Sequence, residues 1–217
     1  MNKKLTTSDL LTHLDLEEIP VKGYEKVVQV TDRKTKLRAI IAIHNTTLGP
    51  ALGGIRIYPY PSMKEALEDV LRLSKGMTYK SAVAEVGYGG GKSVILADPK
   101  KDKTPELLLS FAAAVHQLEG KYICAEDVGC TTDDVKIVRR GTPYVVGLPS
   151  EQSRGDPGPF TACGTFRAIE SAVKKLYGTN SLEGRKVAVQ GLGNVGGHLV
   201  DYLFWAGADL ILADLDR

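Results

Sequence analysis

Arg185-Lys186-Val187-Ala188-Val189-Gln190-Gly191-Leu192-Gly193-Asn194-Val195-Gly196 sets a β-rich run directly ahead of glycines in Gly-x-Gly-x-x-Gly spacing. An apolar series then recurs at helical spacing through Leu199, Leu203 and Phe204 and stops at Gly207. A second β-rich run, Leu210-Ile211-Leu212-Ala213, ends in Asp214, 18 positions past Gly196 (214 minus 196). Taken alone, the glycine pattern also fits a purely structural turn. Between a strand and a helix, with an acid at this distance, it predicts the first βαβ unit of a Rossmann-type dinucleotide-binding domain. The glycines admit a pyrophosphate, the helix N-terminus offers amide donors, and Asp214 can accept from both ribose hydroxyls. Such a carboxylate repels a 2′-phosphate, which favours NAD over NADP. Arg217 is the one nearby residue that pulls the other way.

Upstream, Gly76-Met77-Thr78-Tyr79-Lys80 runs on to Gly89-Gly90-Gly91-Lys92-Ser93, with two lysines twelve positions apart. Three successive glycines allow a ligand close to the main chain. A lysine held there is partly desolvated, and a second ammonium nearby makes its charged form costlier still. Both effects move an amine towards the neutral form that a general base needs. The alternative is a glycine-rich surface turn with a solvated lysine. A phosphate-binding P-loop is excluded, because Val86 stands where its first glycine belongs and the residues after Lys92 read as a strand.

The 217 residues suffice for one large or two modest domains, and a net charge of +2 with dispersed Lys and Arg gives no basic stripe for nucleic acid. No apolar run resembles a signal peptide or membrane span. Cys124, Cys130 and Cys163 are odd in number and lack CxxC spacing, so neither a disulfide framework nor a metal site is expected. A reducing, cytoplasmic setting follows.

Along the chain, residues 5–18 read as a helix. The runs 25–31 and 37–43 read as a hairpin joined by a polar turn. Leu48-Gly49-Pro50-Ala51-Leu52-Gly53-Gly54-Ile55-Arg56 reads as a glycine-bearing loop, suited to ligand contact or to a plain turn. Ser62 and Glu65 open a helix for which Gly76 is the stop. A strand over 93–97 follows, then a helix from Thr104-Pro105 to about Gly120. Tyr122 to Ala125 is a strand leading to Asp127, which either faces a cleft or caps the helix near 132–139. Glycines and prolines between 147 and 160 mark a boundary, and a helix from about Thr161 to Tyr177 follows. The predicted class is α/β, with an N-terminal α/β domain over 1–147 and an incomplete Rossmann-type domain over 148–217.

Gly49 to Gly54, Lys75 to Lys80, Gly89 to Lys92, Ala125-Glu126-Asp127-Val128-Gly129 and Gly191 to Gly196 together resemble the glutamate, leucine, phenylalanine and valine dehydrogenases. The likeness extends over residues 25–217 and is strongest to the leucine branch. The resemblance implies that Lys92 is the catalytic lysine, that Lys80 grips the substrate α-carboxylate and that Asp127 handles protons beside the amine. Leu52, Gly53, Gly54 and Ala125 would border the substrate, and Thr161 would lie near the nicotinamide. Gly191, Leu192, Gly193, Asn194, Val195, Gly196 and Asp214 would hold NAD. The implied activity is reversible oxidative deamination of an apolar, leucine-like L-amino acid to the 2-oxo acid and ammonia by a homo-oligomer, with domain closure excluding water. No further cation for a side-chain carboxylate stands out, which argues against glutamate as substrate.

Two departures from the family's pattern accompany the likeness. The chain stops at Arg217, just past the second strand of the dinucleotide domain, so a C-terminally truncated chain is expected. The stretch Glu151 to Cys163 is more charged than in leucine-type members, with Cys163 where an aromatic is usual. A non-catalytic homologue that keeps the fold and its subunit-association surfaces is the alternative.

Overall fold

The computed structural model describes residues 13–150 and 155–215. The hairpin that spans residues 26–45 shows how the sequence sets local geometry. Strands β2 (Lys26–Asp32) and β3 (Leu37–Asn45) pair antiparallel, and Lys36 supplies the left-handed turn conformation with φ of 61° where no glycine stands. Asp32 organises that turn. Its carboxylate, 3% exposed, accepts from the Lys34 amide at 2.8 Å, Thr35 Oγ1 at 2.9 Å and Ser110 Oγ at 2.7 Å. Burial alone would raise its pKa, but these donors together hold it below the usual carboxylate value. A depressed folded pKa means stability that is present above the unfolded value of 3.8 and lost as pH falls through the folded one. Asp32→Ala is therefore expected to cost about 1–3 kcal/mol at neutral pH in urea titrations. The gap from wild type should narrow below pH ~4.

Strand β1 (Leu14–Glu18) pairs antiparallel with β2, which corrects the expected helix over 5–18. Residues 5–12 lie outside the described residues. Leu14 and Leu16 pack on the core while Asp15, Glu17 and Glu18 are exposed, a period of two that fits an edge strand. Three further strands complete the sheet: β4 (Ala51–Tyr58), β5 (Gly89–Leu96) and β6 (Tyr122–Glu126). The order is β1-β2-β3-β5-β4-β6, with β4 parallel to both β5 and β6. Both glycine-bearing segments expected as loops are thus central strands.

The reason lies in side-chain volume. A Cβ on Gly90 would stand 2.1 Å from the Thr78 amide nitrogen, and one on Gly91 would stand 2.8 Å from the Tyr122 ring. The glycines let neighbouring elements approach the strand on both faces, so β5 starts at Gly89 and not at Ser93.

Helix α1 (Met63–Val83) covers one face of this sheet. Ser62 caps it by accepting from the Glu65 amide at 3.2 Å. Gly76 does not stop it. A mid-helix glycine costs only about 1 kcal/mol relative to alanine, and helix contacts continue past it, through Thr78 on Gly90 and on His44 Nδ1 (2.8 Å). Helices α2 (Pro105–His116) and α3 (Thr132–Arg139) cover the opposite face. Helix α2 has the expected Thr104 cap but ends before the expected Gly120, where Glu119 and Gly120 take positive φ. Two cores result: Val27, Ile40, Ala42, Ala66, Val70 and Val94 under α1, and a larger one holding Ile41, Ile55, Ile95, Phe111 and Tyr122 under α2 and α3.

The chain divides into two compact units, Met1–Ser153 and Arg154–Arg217. In the second unit, helix α4 (Gly158–Tyr177) starts three residues before the expected Thr161 and ends at Gly178, a left-handed cap with φ of 76°. Strands β7 (Lys186–Gln190) and β8 (Asp209–Ala213) pair in parallel, linked by helix α5 (Asn194–Trp205). Phe166, Leu182, Val189 and Leu203 form their core. This is the start of a Rossmann-type fold. Among the described residues, no helix is long and apolar enough to cross a membrane.

Candidate active site around Lys92 and Asp127

Strand alternation gathers the first set of candidates. Val94 faces α1 and Ile95 faces the opposite core, so Lys92 points to the α1 side of β5. On β4 the residues Leu52, Gly54 and Arg56 share that side, since Ala51, Ile55 and Ile57 fill the other core. Register sets Gly54 beside Ala125 on β6, and Asp127 follows two residues later. Gly53 points to the opposite face, where a Cβ would meet the Gly91 carbonyl oxygen.

Lys92 is the buried charge of the first unit's site. Its side chain is 6% exposed, and its Nζ lies 3.0 Å from Asp127 Oδ1. Gly54 makes the room: a Cβ there would stand 2.7 Å from the Asp127 Cβ and 3.2 Å from Lys92 Nζ. Burial pushes the Lys92 pKa down, Asp127 pulls it up, and the Arg56 and Lys80 charges push it down again; the net direction is down. Lys80 lies on α1, exposed, because the helix runs through Gly76.

Asp127 does not cap a helix. Thr131 caps α3 and completes a capping box with Asp134. Asp127 is instead held from two sides, since Arg56 Nε donates to its Oδ2 at 2.8 Å while Lys92 contacts Oδ1. Burial would raise its pKa, but Lys92 and Arg56 outweigh burial and hold it below the usual carboxylate range. Arg56 also donates through Nη1 to Asp69 Oδ2 at 3.0 Å, and Asp69 further accepts from Tyr60 OH at 2.6 Å and from Arg72. Sequence reasoning missed Arg56 as a site residue. Its signal was its position two residues after Gly54, on the same face of an alternating strand.

Two cavities of about 630 and 720 Å³ open elsewhere, one lined by Lys34, Leu96 and Leu107, the other by Glu25, Ile43 and Lys121. Neither is lined by Lys92 or Asp127. The buried lysine–carboxylate pair, with its shifted pKa values, is the stronger sign of chemistry. Among the described residues no cluster of His, Cys, Asp and Glu is placed to hold a metal.

The second unit holds the remaining candidates. Gly191 takes φ of 92°, and a Cβ on Gly196 would stand 1.9 Å from the Gly191 carbonyl oxygen, so the turn closes tightly. A Cβ on Gly193 would meet nothing within 4 Å, which leaves open space above the loop. Gly193 is also the N-cap of α5 without a side-chain cap, so no side chain claims the amides of the first turn there. The Leu192 amide donates to Asp214 Oδ2 at 2.5 Å, joining the glycine loop to the end of β8. Asn194 Nδ2 donates to Asp156 Oδ1 at 2.7 Å, and Val195 follows it in the first turn of α5. Thr161 sits exposed in the first turn of α4, where its Oγ1 donates to the Pro157 carbonyl at 3.0 Å. The open loop, free helix amides and strand-end acid fit a dinucleotide.

In chain order, a mixed α/β unit bearing a buried Lys–Asp pair is followed by a parallel βαβ unit with a glycine turn. Residues 23–144 match the model of the Glu/Leu/Phe/Val dehydrogenase dimerisation domain, and the chain belongs to that family. It is 50% identical over 195 residues to a leucine dehydrogenase of Geobacillus stearothermophilus, covering 89% of this chain and 53% of that one. It is 44% identical over 216 residues to a phenylalanine dehydrogenase of Lysinibacillus sphaericus, covering 99% of this chain and 56% of that one. The crystal structure of L-tryptophan dehydrogenase from Nostoc punctiforme superposes with a TM-score of 0.62 at 44% identity, covering 88% of this chain and 54% of that one. The chain spans about half the length of the curated relatives it matches.

Proposed function

We propose that the protein acts in NAD-dependent, reversible oxidative deamination of an apolar, leucine-like L-amino acid to its 2-oxo acid and ammonia. The observation that carries this reading is the buried Lys92 Nζ, 3.0 Å from Asp127 and lowered in pKa by its surroundings. NAD bound at the Gly191–Gly196 loop and Asp214 supplies the hydride acceptor for the substrate Cα–H. Asp214 supports NAD over NADP, since a carboxylate at that point repels a 2′-phosphate. Thr161 is assigned to the nicotinamide end.

Lys80 holds the substrate carboxylate by its ammonium, while Leu52, Gly53, Gly54 and Ala125 border the side chain. Gly53 contributes through its backbone, because a side chain there would point to the opposite face of the sheet. Once the substrate is oxidised to the iminium, neutral Lys92 takes a proton from a water as that water attacks the iminium carbon. Asp127, kept as a carboxylate by two cations, accepts and returns protons at the nitrogen as the carbinolamine collapses to oxo acid and ammonia. A homo-oligomer is the assembly proposed, in keeping with the dimerisation-domain match.

The test combines calorimetric titration of NAD and NADP with reduced-nicotinamide absorbance during incubation with L-leucine, L-valine, L-phenylalanine and L-glutamate. NAD binding and turnover of the apolar substrates, with L-glutamate inert, are expected. Silence with all four amino acids, despite a folded protein, would replace this reading with that of a non-catalytic homologue.

A further inference from the structure

We propose that Arg56 is a positioning residue for this chemistry: it bridges Asp127, at the end of β6, to Asp69 on helix α1, and so fixes the Asp127 carboxylate against Lys92. The geometry is specific to a guanidinium. Nε reaches Asp127 Oδ2 at 2.8 Å while Nη1 reaches Asp69 Oδ2 at 3.0 Å, two carboxylates on two elements held by one planar fork. Asp69 is itself immobilised by Tyr60 OH at 2.6 Å and by Arg72, so the fork has a fixed anchor. All three side chains joined by the fork are largely shielded, with Arg56 21%, Asp69 13% and Asp127 22% exposed. Solvent screening is correspondingly reduced.

The arrangement answers a difficulty in using a neutral lysine beside a carboxylate. Asp127 alone would favour the protonated form of Lys92 and would lose its only partner whenever Lys92 became neutral. Arg56 keeps Asp127 paired in either state, and its own charge opposes protonation of Lys92. The charged groups on the α1 side of the sheet around the pair are Arg56 from β4 and Lys80 and Asp69 from α1. Of the cations among them, Arg56 alone touches the Asp127 carboxylate. Helix α1 carries both Asp69 and Lys80, so the same fork ties the proposed carboxylate grip to the proton-handling pair through one rigid element.

The inference rests on the dehydrogenase reading for its chemistry, and its test reads a carboxyl group in place of turnover so that the two can fail separately. Carboxyl-¹³C aspartate is incorporated into the protein, and the Asp127 resonance is assigned by its absence in Asp127→Asn. In wild type it should titrate below the usual aspartate range. In Arg56→Gln the midpoint should rise by about one pH unit, the usual effect of removing an opposite charge in contact. Arg56→Lys should give a smaller rise, because an ammonium cannot span both carboxylates. A midpoint in Arg56→Gln that coincides with wild type overturns the proposal. If Arg56→Gln does not fold, Arg56→Lys decides, and coincidence with wild type there overturns it equally.

Discussion

Lys92→Met is expected to lower kcat/KM for the apolar amino acid by about three orders of magnitude, within the range lost when a positioned general base is removed. NAD binding, read by calorimetry, should be unchanged, because the glycine loop and Asp214 belong to the other compact unit. The substitution is nearly isosteric and leaves Asp127 paired with Arg56, so the loss reports chemistry and not collapse of the site. In wild type, kcat/KM should rise with pH through the Lys92 pKa, at a midpoint below the ordinary 10.5, since only the neutral amine can take a proton. A Lys92→Met variant that keeps a tenth or more of wild-type turnover would remove Lys92 from the mechanism.

The same lysine has a stability signature of the same sign as that of Asp32, set in a higher pH window. Its folded pKa lies below the unfolded value, so folding disfavours the bound proton. The stability of wild type should climb as pH rises from the folded Lys92 pKa towards 10.5, where the unfolded chain still binds the proton and the folded chain has released it. Lys92→Met lacks that dependence. The difference between variant and wild type in urea midpoints should therefore shift in favour of wild type across that interval. Paired with the rate profile, this separates a perturbed Lys92 from a perturbed substrate group.

Local signals in the sequence located what depends on short-range geometry. The hairpin over 26–45, the Ser62 and Thr104 caps, α3 and the β7–α5–β8 unit all follow from turn, cap and period patterns that act within a few residues. The failures occurred where distant packing overrode local propensity. Glycines at 53, 54 and 89–91 read as loops, yet they are the positions where crossing elements come too close for a side chain. Gly76 read as a helix stop, yet contacts beyond it on β3 and β5 carry α1 for seven more residues, to Val83. The strand at 14–18 was hidden because the charged face of an edge strand leaves only Leu14 and Leu16 as apolar signal. Lys92 and Asp127 were legible as a motif; Arg56, Asp69 and Tyr60 required the strand and helix to be brought together first.

That distinction between glycines can be measured directly. Gly53→Ala should destabilise the fold by at least about 3 kcal/mol, the upper end for forced overpacking, because its Cβ would stand 1.8 Å from the Gly91 carbonyl oxygen and 3.1 Å from the Lys92 Cα. Both are backbone atoms of the central strand, so no rotamer can relieve the clash. Relief would require β4 and β5 to part, against the Ile55–Ser93 and Ile57–Ile95 register that holds them. Tyr122 OH also donates to the Gly53 carbonyl at 2.9 Å, and parting the strands would strain that buried bond. Gly76→Ala is the control. Nothing lies within 4 Å of its Cβ and it sits inside α1, so a gain of about 0.5–1 kcal/mol is expected from the lower backbone entropy of the unfolded chain. Against a total stability of about 5–15 kcal/mol, the first change should lower the urea midpoint sharply and the second should raise it. If the two glycines respond alike, close packing of β4 on β5 is not what places Lys92 beside Asp127.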